Sequence, residues 1–289
     1  MSYALVTGAA KGIGKGIARE LARRKYNLLL VDLDNTSLIN TKTFLESTFD
    51  IEVQALHLDL STPDAPERLL SWSAPWHHNL AIVINNAGYG LNGSFEQLSL
   101  AEQLNLIDVN IKAQVILSHA YIPVLKKQTQ AYLLNVGSTT AYQSIPYFNI
   151  YAASKAFVIS FTRSLRYELL GSPVSVSVLI PGSTDTDFVN RARLNEKARK
   201  KAEKFDMQPD DVGQIAVRGL LNKKAEIIPG FTNKLHAFLP KFFPKILVEK
   251  IAADIYRPEE VDYALSDERL LTVSATEIDR FNQEKFSAH

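Results

Sequence analysis

Short, almost wholly apolar runs alternate with longer amphipathic stretches along most of this 289-residue chain, and no other feature restricts its fold as strongly. The runs at 3–7, 27–32, 53–60, 80–86, 132–138, 174–181 and 226–230 are strand-sized. Helical spacing of apolar residues marks 36–49, 63–74, 98–128, 151–170 and 210–222, with an interruption expected in the long 98–128 stretch. Just after the first strand, Ile13, Ile17 and Leu21 recur every four residues with Ala18 and Ala22 beside them, which makes one helix face. Strands apolar on both faces must be covered on both faces. Repeated strand–helix units of this kind specify an α/β fold: a Rossmann-type, doubly wound parallel sheet flanked by helices. No repeat or low-complexity linker divides the chain. A single domain is expected at 1–230, followed by a helical C-terminal extension at 231–289.

Composition removes several function classes. Basic and acidic residues number 32 and 31, a net charge of +1, which argues against a nucleic-acid partner. The absence of cysteine excludes thiol nucleophiles, disulfide frameworks and thiolate metal sites. None of the six histidines forms a His-x-x-x-His pair with an adjacent Glu, so no metal site is expected. The first seven residues lead straight into a strand with no basic flank, and no apolar run approaches the ~20 residues of a membrane span. A cytoplasmic protein is the expectation.

The turn after the first strand reads Thr7-Gly8-Ala9-Ala10-Lys11-Gly12-Ile13-Gly14. Glycines let the backbone turn tightly and approach a ligand, while the following helix offers unpaired N–H groups to a phosphate. A plain tight turn has the same composition; the place in a first strand–turn–helix unit selects nucleotide binding. It is not a P-loop, because position 9 is not glycine and no Ser or Thr follows Lys15. Asp32 ends the second strand, 24 residues after Gly8. A carboxylate there accepts hydrogen bonds from the ribose hydroxyls of NAD and repels a 2′-phosphate. Asp34 adds to the repulsion, whereas Lys11 has the charge to pair with that phosphate. NAD is favoured over NADP.

Of the 11 tyrosines, only Tyr151 has a lysine four residues on, Lys155. That spacing puts both on one helix face, where an ammonium lowers a phenol's pKa. A surface tyrosine beside a solvated lysine would have the same spacing.

The motifs together resemble the short-chain dehydrogenase/reductase family. They are Thr7-Gly8-x-x-x-Gly12-x-Gly14, Asp59-Leu60, Asn85-Asn86-Ala87-Gly88, Asn110, Ser138, Tyr151-x-x-x-Lys155 and Pro181-Gly182-x-x-x-Thr186. They occur in the family's order over residues 2–230. Stretches such as Asn85-Asn86-Ala87-Gly88-Tyr89-Gly90 are similar to the bacterial DltE-like oxidoreductases. The resemblance implies hydride transfer between a nicotinamide cofactor and a small-molecule carbonyl or secondary alcohol. It implies Tyr151 as general acid/base, Ser138 bonding the reacting oxygen, Lys155 holding the nicotinamide ribose, and Asn110 supporting a water relay. For the cofactor it implies Gly8, Lys11, Gly12, Ile13, Gly14 and Asp32, with Asp59 and Leu60 at the adenine. Asn86 and Ala87 then lie beneath the dinucleotide, and Thr184 and Thr186 at its carboxamide. A homodimer or homotetramer through 98–128 and 151–170 is implied in the same way. The runner-up enzyme is a 3-oxoacyl thioester reductase. A catalytically silent nucleotide-binding regulator has no chemical need for Asn110, Ser138, Tyr151 and Lys155 together.

Three further features bear on the substrate. Tyr89, Leu91, Phe95, Tyr142, Tyr147, Phe148 and Phe188 lie near the C-terminal strand ends, where this fold binds ligands; if they converge, the pocket is apolar and suits a bulky substrate. The basic stretch 191–204 is either a solvated helix face or a guide for an anionic substrate. Apolar residues spaced three to four apart over 235–251 read as an amphipathic helix broken by Pro240 and Pro244. Packing over the pocket or a neighbouring subunit competes there with peripheral membrane contact through 234–251 and with disorder. Residues 257–289 receive no role.

Overall fold

The computed structural model describes residues 1–258. Seven strands form one parallel sheet in the order β3-β2-β1-β4-β5-β6-β7. They are β1 (Tyr3–Thr7), β2 (Asn27–Asp32), β3 (Val53–His57), β4 (Leu80–Asn85), β5 (Ala131–Val136), β6 (Val174–Leu179) and β7 (Glu226–Ile227). On one face, α1 (Gly12–Arg23), α2 (Asn35–Thr48) and α9 (Pro209–Leu221) cover a core that includes Val6, Ile17, Leu21, Leu30 and Val217. The opposite core, with Leu5, Leu29, Leu69, Val83 and Tyr121, is closed by α3 (Ala65–Ser73) and α5 (Ala113–Leu125). Alternate strand residues thus serve opposite cores, which is why the strands read as unbroken apolar runs.

Five strands end short of their expected limits. β3 stops at His57 rather than 60, β4 at Asn85 rather than 86, β5 at Val136 rather than 138, β6 at Leu179 rather than 181 and β7 at Ile227 rather than 230. The released residues Leu58, Asp59, Leu60, Gly137, Ser138 and Pro181 leave the ladder and line a cleft. The order turns back on itself between β1 and β4, and a doubly wound sheet opens its ligand crevice at that switch point.

The interruption expected within 98–128 is a single wide π-turn, Asp108–Lys112, between α4 (Leu100–Ile107) and α5. Asn110 sits in it, fully buried. After α6 (Asn149–Glu168) and β6, the chain forms a short α7 (Phe188–Arg191) and α8 (Glu196–Phe205). Beyond β7 come α10 (Phe231–Phe238), a 3₁₀ turn (Leu239–Phe242) and α11 (Lys245–Tyr256). Pro240 lies at the start of that turn and Pro244 caps α11, so the amphipathic stretch is broken where the prolines stand. The buried Ala252, with Ile255 and Tyr256, joins α11 to the apolar cluster around Tyr89, Phe148 and Tyr151. Most of the polar tail at 257–289 lies outside the described residues.

Candidate active site

The cleft at the switch point encloses about 740 Å³. Every site residue expected from the sequence lines it except Gly14 and Asn110, which stand directly behind its wall.

At one end the wall is backbone. Gly8 and Gly12 have φ of +64° and +53°, a region L side chains avoid. A Cβ on Gly14 would lie 1.9 Å from the carbonyl oxygen of Gly8, and one on Gly12 would lie 2.8 Å from Thr186 Cγ2. The turn is fastened from behind. Asn86 Nδ2 donates to the carbonyls of Thr7 (2.9 Å) and Gly8 (3.0 Å), and the backbone N–H groups of Asn86 and Ala87 donate to Thr7 Oγ1. Helix α1 has no side-chain cap and no acidic residue in its first turn. An uncapped helix N-terminus behind a glycine cradle is chemically complementary to a diphosphate.

At the tip of β2, Asp32 accepts from the N–H groups of Ala10 and Asp34, each at 2.9 Å. Asp34 caps α2 by accepting from Ser37 N at 3.0 Å, and its other oxygen pairs with Lys11 at 2.8 Å. The bond to Lys11 drives the Asp34 carboxyl far below the usual range, and Asp34 raises the Lys11 ammonium in return. Lys11 is therefore already matched by a carboxylate. Asp59 holds the loop after β3 by accepting from Ser61 N and Oγ at 2.9 and 2.8 Å. Thr184 donates to the Gly182 carbonyl, and Thr186 accepts from Phe188 N.

Halfway along the cleft, α6 presents Tyr151 and Lys155 one turn apart, both buried. Ser138 lines the cleft with Tyr151, and Ser138 Oγ accepts from Thr140 N at 3.2 Å. Lys155 Nζ donates to the Val136 carbonyl at 2.9 Å and stands 5.7 Å from the Tyr151 ring centroid. The sequence-based expectation that Lys155 lowers the Tyr151 pKa is overturned here. Burial pushes the phenol well above its usual range, and only the Ser138 side chain opposes it. Burial also brings the Lys155 ammonium down to about 8, because neither charged form keeps its water. Asn110 accepts from Tyr89 N at 3.0 Å and donates to Tyr89 O and Ser154 Oγ at 2.9 and 3.1 Å. Its side chain braces the strand-end loop. It meets Lys155 only across Gly88, where a Cβ would come within 3.0 Å of Asn110 Oδ1 and 3.2 Å of Lys155 Nζ.

The other end is aromatic. Phe148 lies 4.5 Å from Tyr151 and 6.5 Å from Phe188 between ring centroids, and it seats its ring over Gly90, where a Cβ would clash at 2.6 Å. Of the seven apolar residues expected near the substrate, Tyr89, Phe148 and Phe188 line the cleft. Leu91 packs in the core behind it, Tyr142 packs against another cluster, and Phe95 is largely exposed. Tyr147 is not part of the lining either. The basic stretch is mostly paired off: Arg191 over the Tyr89 ring at 4.4 Å, Arg193 with Glu102, Lys197 with Asp254 and Lys200 with Glu196. Lys201 lines the cleft.

Several lining or supporting residues carry no sequence signal. Tyr256, from α11, stacks on Phe148 at 5.3 Å with planes 9° apart. Asn92 Nδ2 donates to the Tyr256 carbonyl at 2.7 Å, and Asn195 Nδ2 donates to the Ile255 and Arg257 carbonyls. Asn233 presses on Gly182, where a Cβ would lie 2.0 Å from Asn233 Oδ1. Only the glycines opposite Phe148 and Asn233 hinted that something approached closely.

Comparison with known proteins agrees with this geometry. The short chain dehydrogenase family model matches residues 2–197. The ketoacyl reductase HetN of Nostoc sp. strain PCC 7120 is 27% identical over 226 residues, 78% of this chain and 77% of that protein. A 7beta-hydroxysteroid dehydrogenase structure superposes with a TM-score of 0.78 at 22% identity, over 87% of this chain and 96% of that one. A short-chain dehydrogenase from Sphingobium yanoikuyae in complex with NADPH gives a TM-score of 0.74 at 25% identity, over 91% and 99%. These matches reach the family and not the DltE-like branch. On the family match, with the glycine turn, Ser138, Tyr151 and Lys155 sharing one cleft, the chain belongs to the short-chain dehydrogenase family, oxidoreductases acting on CH–OH and C=O groups.

Proposed function

We propose that this chain moves a hydride between NAD and a bulky, apolar ketone or secondary alcohol. The observation carrying this reading is that Ser138, Tyr151 and Lys155 share one cleft that is glycine-walled at one end and aromatic at the other. The residues present fit a dinucleotide. Gly8, Gly12, Ile13 and Gly14, with the uncapped start of α1, would hold its diphosphate. Asp32 would take a ribose, Asp59 and Leu60 the adenine, Thr184 and Thr186 the carboxamide, and Asn86 and Ala87 would lie beneath. When bound, the cofactor supplies or receives the hydride.

The chain's own residues manage the proton. In the reducing direction the Tyr151 phenol donates its proton to the carbonyl oxygen, and Ser138 Oγ hydrogen-bonds that oxygen as negative charge gathers on it. In oxidation Tyr151, as phenolate, accepts the alcohol proton. Burial favours the protonated phenol, the form that donates in reduction. Lys155 would hold the nicotinamide ribose. Asn110 positions the Tyr89 loop, and the π-turn backbone around it would carry a proton relay.

The NAD preference is supported by two carboxylates at the ribose end and by the Lys11–Asp34 pair. We take 1–230 as the catalytic unit and the segment from 231 as a roof over its aromatic end. A second copy would pair through α4–α5 and α6, whose outer face stacks Phe157 on Phe161 at 5.8 Å. Two observations favour a second reading, 3-oxoacyl thioester reduction. Lys201 stands on the cleft wall, and the relative HetN is a ketoacyl reductase. A panel of bulky ketones, small polar carbonyls and 3-oxoacyl thioesters, each with NADH and NADPH, separates these. Bulky ketones turned over fastest with NADH is the expected result. Turnover confined to small polar carbonyls would overturn the substrate reading, and a clear NADPH preference would overturn the cofactor reading.

A further inference from the structure

Hydride transfer does not account for the surface that residues 231–251 present. Phe231, Leu235, Phe238 and Phe242 follow at three- and four-residue spacing along α10 and the turn after it. Phe231 is 82% exposed and Phe242 67%, and Ile246 on α11 is 77% exposed. So many exposed apolar side chains in one short segment mark a contact with something other than water.

Its chemistry selects the contact. Four lysines stand against one glutamate in 231–251. The side chains of Lys234, Lys245 and Lys250 are exposed, and none is in an ion pair among the described residues. An apolar stripe edged with ammonium groups matches the boundary of an anionic bilayer, acyl chains below and phosphates around. A second copy seated on the same patch would bring like charges together. No helix among the described residues is long and apolar enough to cross a membrane, so α10 and α11 would lie in the plane of the interface. The patch is also continuous with the cleft: Leu239, Phe243, Leu247 and Ile251 are at once exposed and part of its lining.

We propose that residues 231–251 dock on an anionic bilayer and that the cleft opens there, so that the substrate is a carbonyl or carbinol dissolved in lipid. The substrate half rests on the reaction proposed above; the docking half does not. The test is co-sedimentation of the full chain with phosphatidylglycerol–phosphatidylcholine vesicles and with phosphatidylcholine vesicles alone. It is run beside the double variant Phe242→Asp/Ile246→Asp, which alters two exposed residues outside the cleft lining. The expected result is binding to the anionic vesicles only, weakened by salt and reduced about tenfold or more in the variant. Turnover of a water-soluble ketone stays unchanged in the variant, while turnover of a long-chain ketone carried in anionic vesicles falls with binding. Wild-type protein left in the supernatant with anionic vesicles would overturn the docking. So would a self-associated species that ignores vesicles and is dissolved by the double substitution, which would assign the patch to a second copy. Vesicle binding without turnover of any ketone would leave the docking standing and remove the reaction.

Discussion

The two ends of the cleft are built from different materials. At the glycine-walled end Gly8 and Gly14 lie against backbone, so a single added carbon there has nowhere to go. The aromatic end is side chain against side chain, and its roof is held by the amides of Asn92 and Asn195 on the carbonyls at the end of α11. The first arrangement leaves little freedom in what binds. The second can be repacked, because apolar contact is non-directional and its losses are graded. Nucleotide recognition sits on the inflexible part and substrate recognition on the adjustable part.

Gly14→Ala strikes the inflexible end hardest. Its Cβ meets the Gly8 carbonyl oxygen, so NADH affinity should fall by about 100-fold or more, measured by fluorescence titration. The control is Gly171→Ala, where φ is +83° but nothing lies within 4 Å of the new carbon; it should cost about 1 kcal/mol of stability and leave affinity alone. Equal losses of affinity in both would break the contrast. Next comes Asp34→Asn, which removes the charge that matches Lys11. The ratio of catalytic efficiencies should move toward NADPH by about tenfold. An unmoved ratio would mean that Asp32 alone sets the choice.

At the adjustable end, Asn195→Ala loses two bonds to the roof and the cap it makes by accepting from Ala198 N at 2.7 Å. KM for a bulky ketone should rise about fivefold with NADH affinity unchanged, because none of the bonds lost reaches the glycine turn. A matching loss of NADH affinity would show that the two ends are coupled. The smallest effect concerns stability. With Lys155 near 8 in the fold and near its ordinary 10.5 in the unfolded chain, the unfolded chain binds more protons between those values. Stability therefore rises with pH across that window, and Lys155→Met should flatten the slope in denaturant titrations. An unchanged slope would mean that Lys155 keeps its ordinary affinity for protons when buried.

What could be read in the sequence follows the same division. The succession of strands and helices and the nucleotide end were legible because both are local: apolar runs of set length, and glycines required at set offsets. Tyr151 and Lys155 were legible from one helical turn. The direction of the Tyr151 shift was not, because the ammonium was visible in the sequence and the loss of water was not. The roof was illegible for another reason. Asn92 and the Tyr256 carbonyl it holds are 164 residues apart, and an isolated asparagine carries no mark of its partner. Phe95 and Tyr142, expected in the pocket, show that nearness to a strand end does not set which way a side chain turns.

The central claim is that the Tyr151 hydroxyl delivers the proton in a cleft whose cofactor site does not depend on it. Tyr151→Phe keeps the ring beside Phe148 and removes only the oxygen. With NADH bound beforehand and a bulky ketone then mixed in, the wild type should lose reduced-nicotinamide absorbance in a single turnover. The variant should bind NADH equally well and react slower by about 100-fold or more. A variant that reacts at the wild-type rate would contradict the claim.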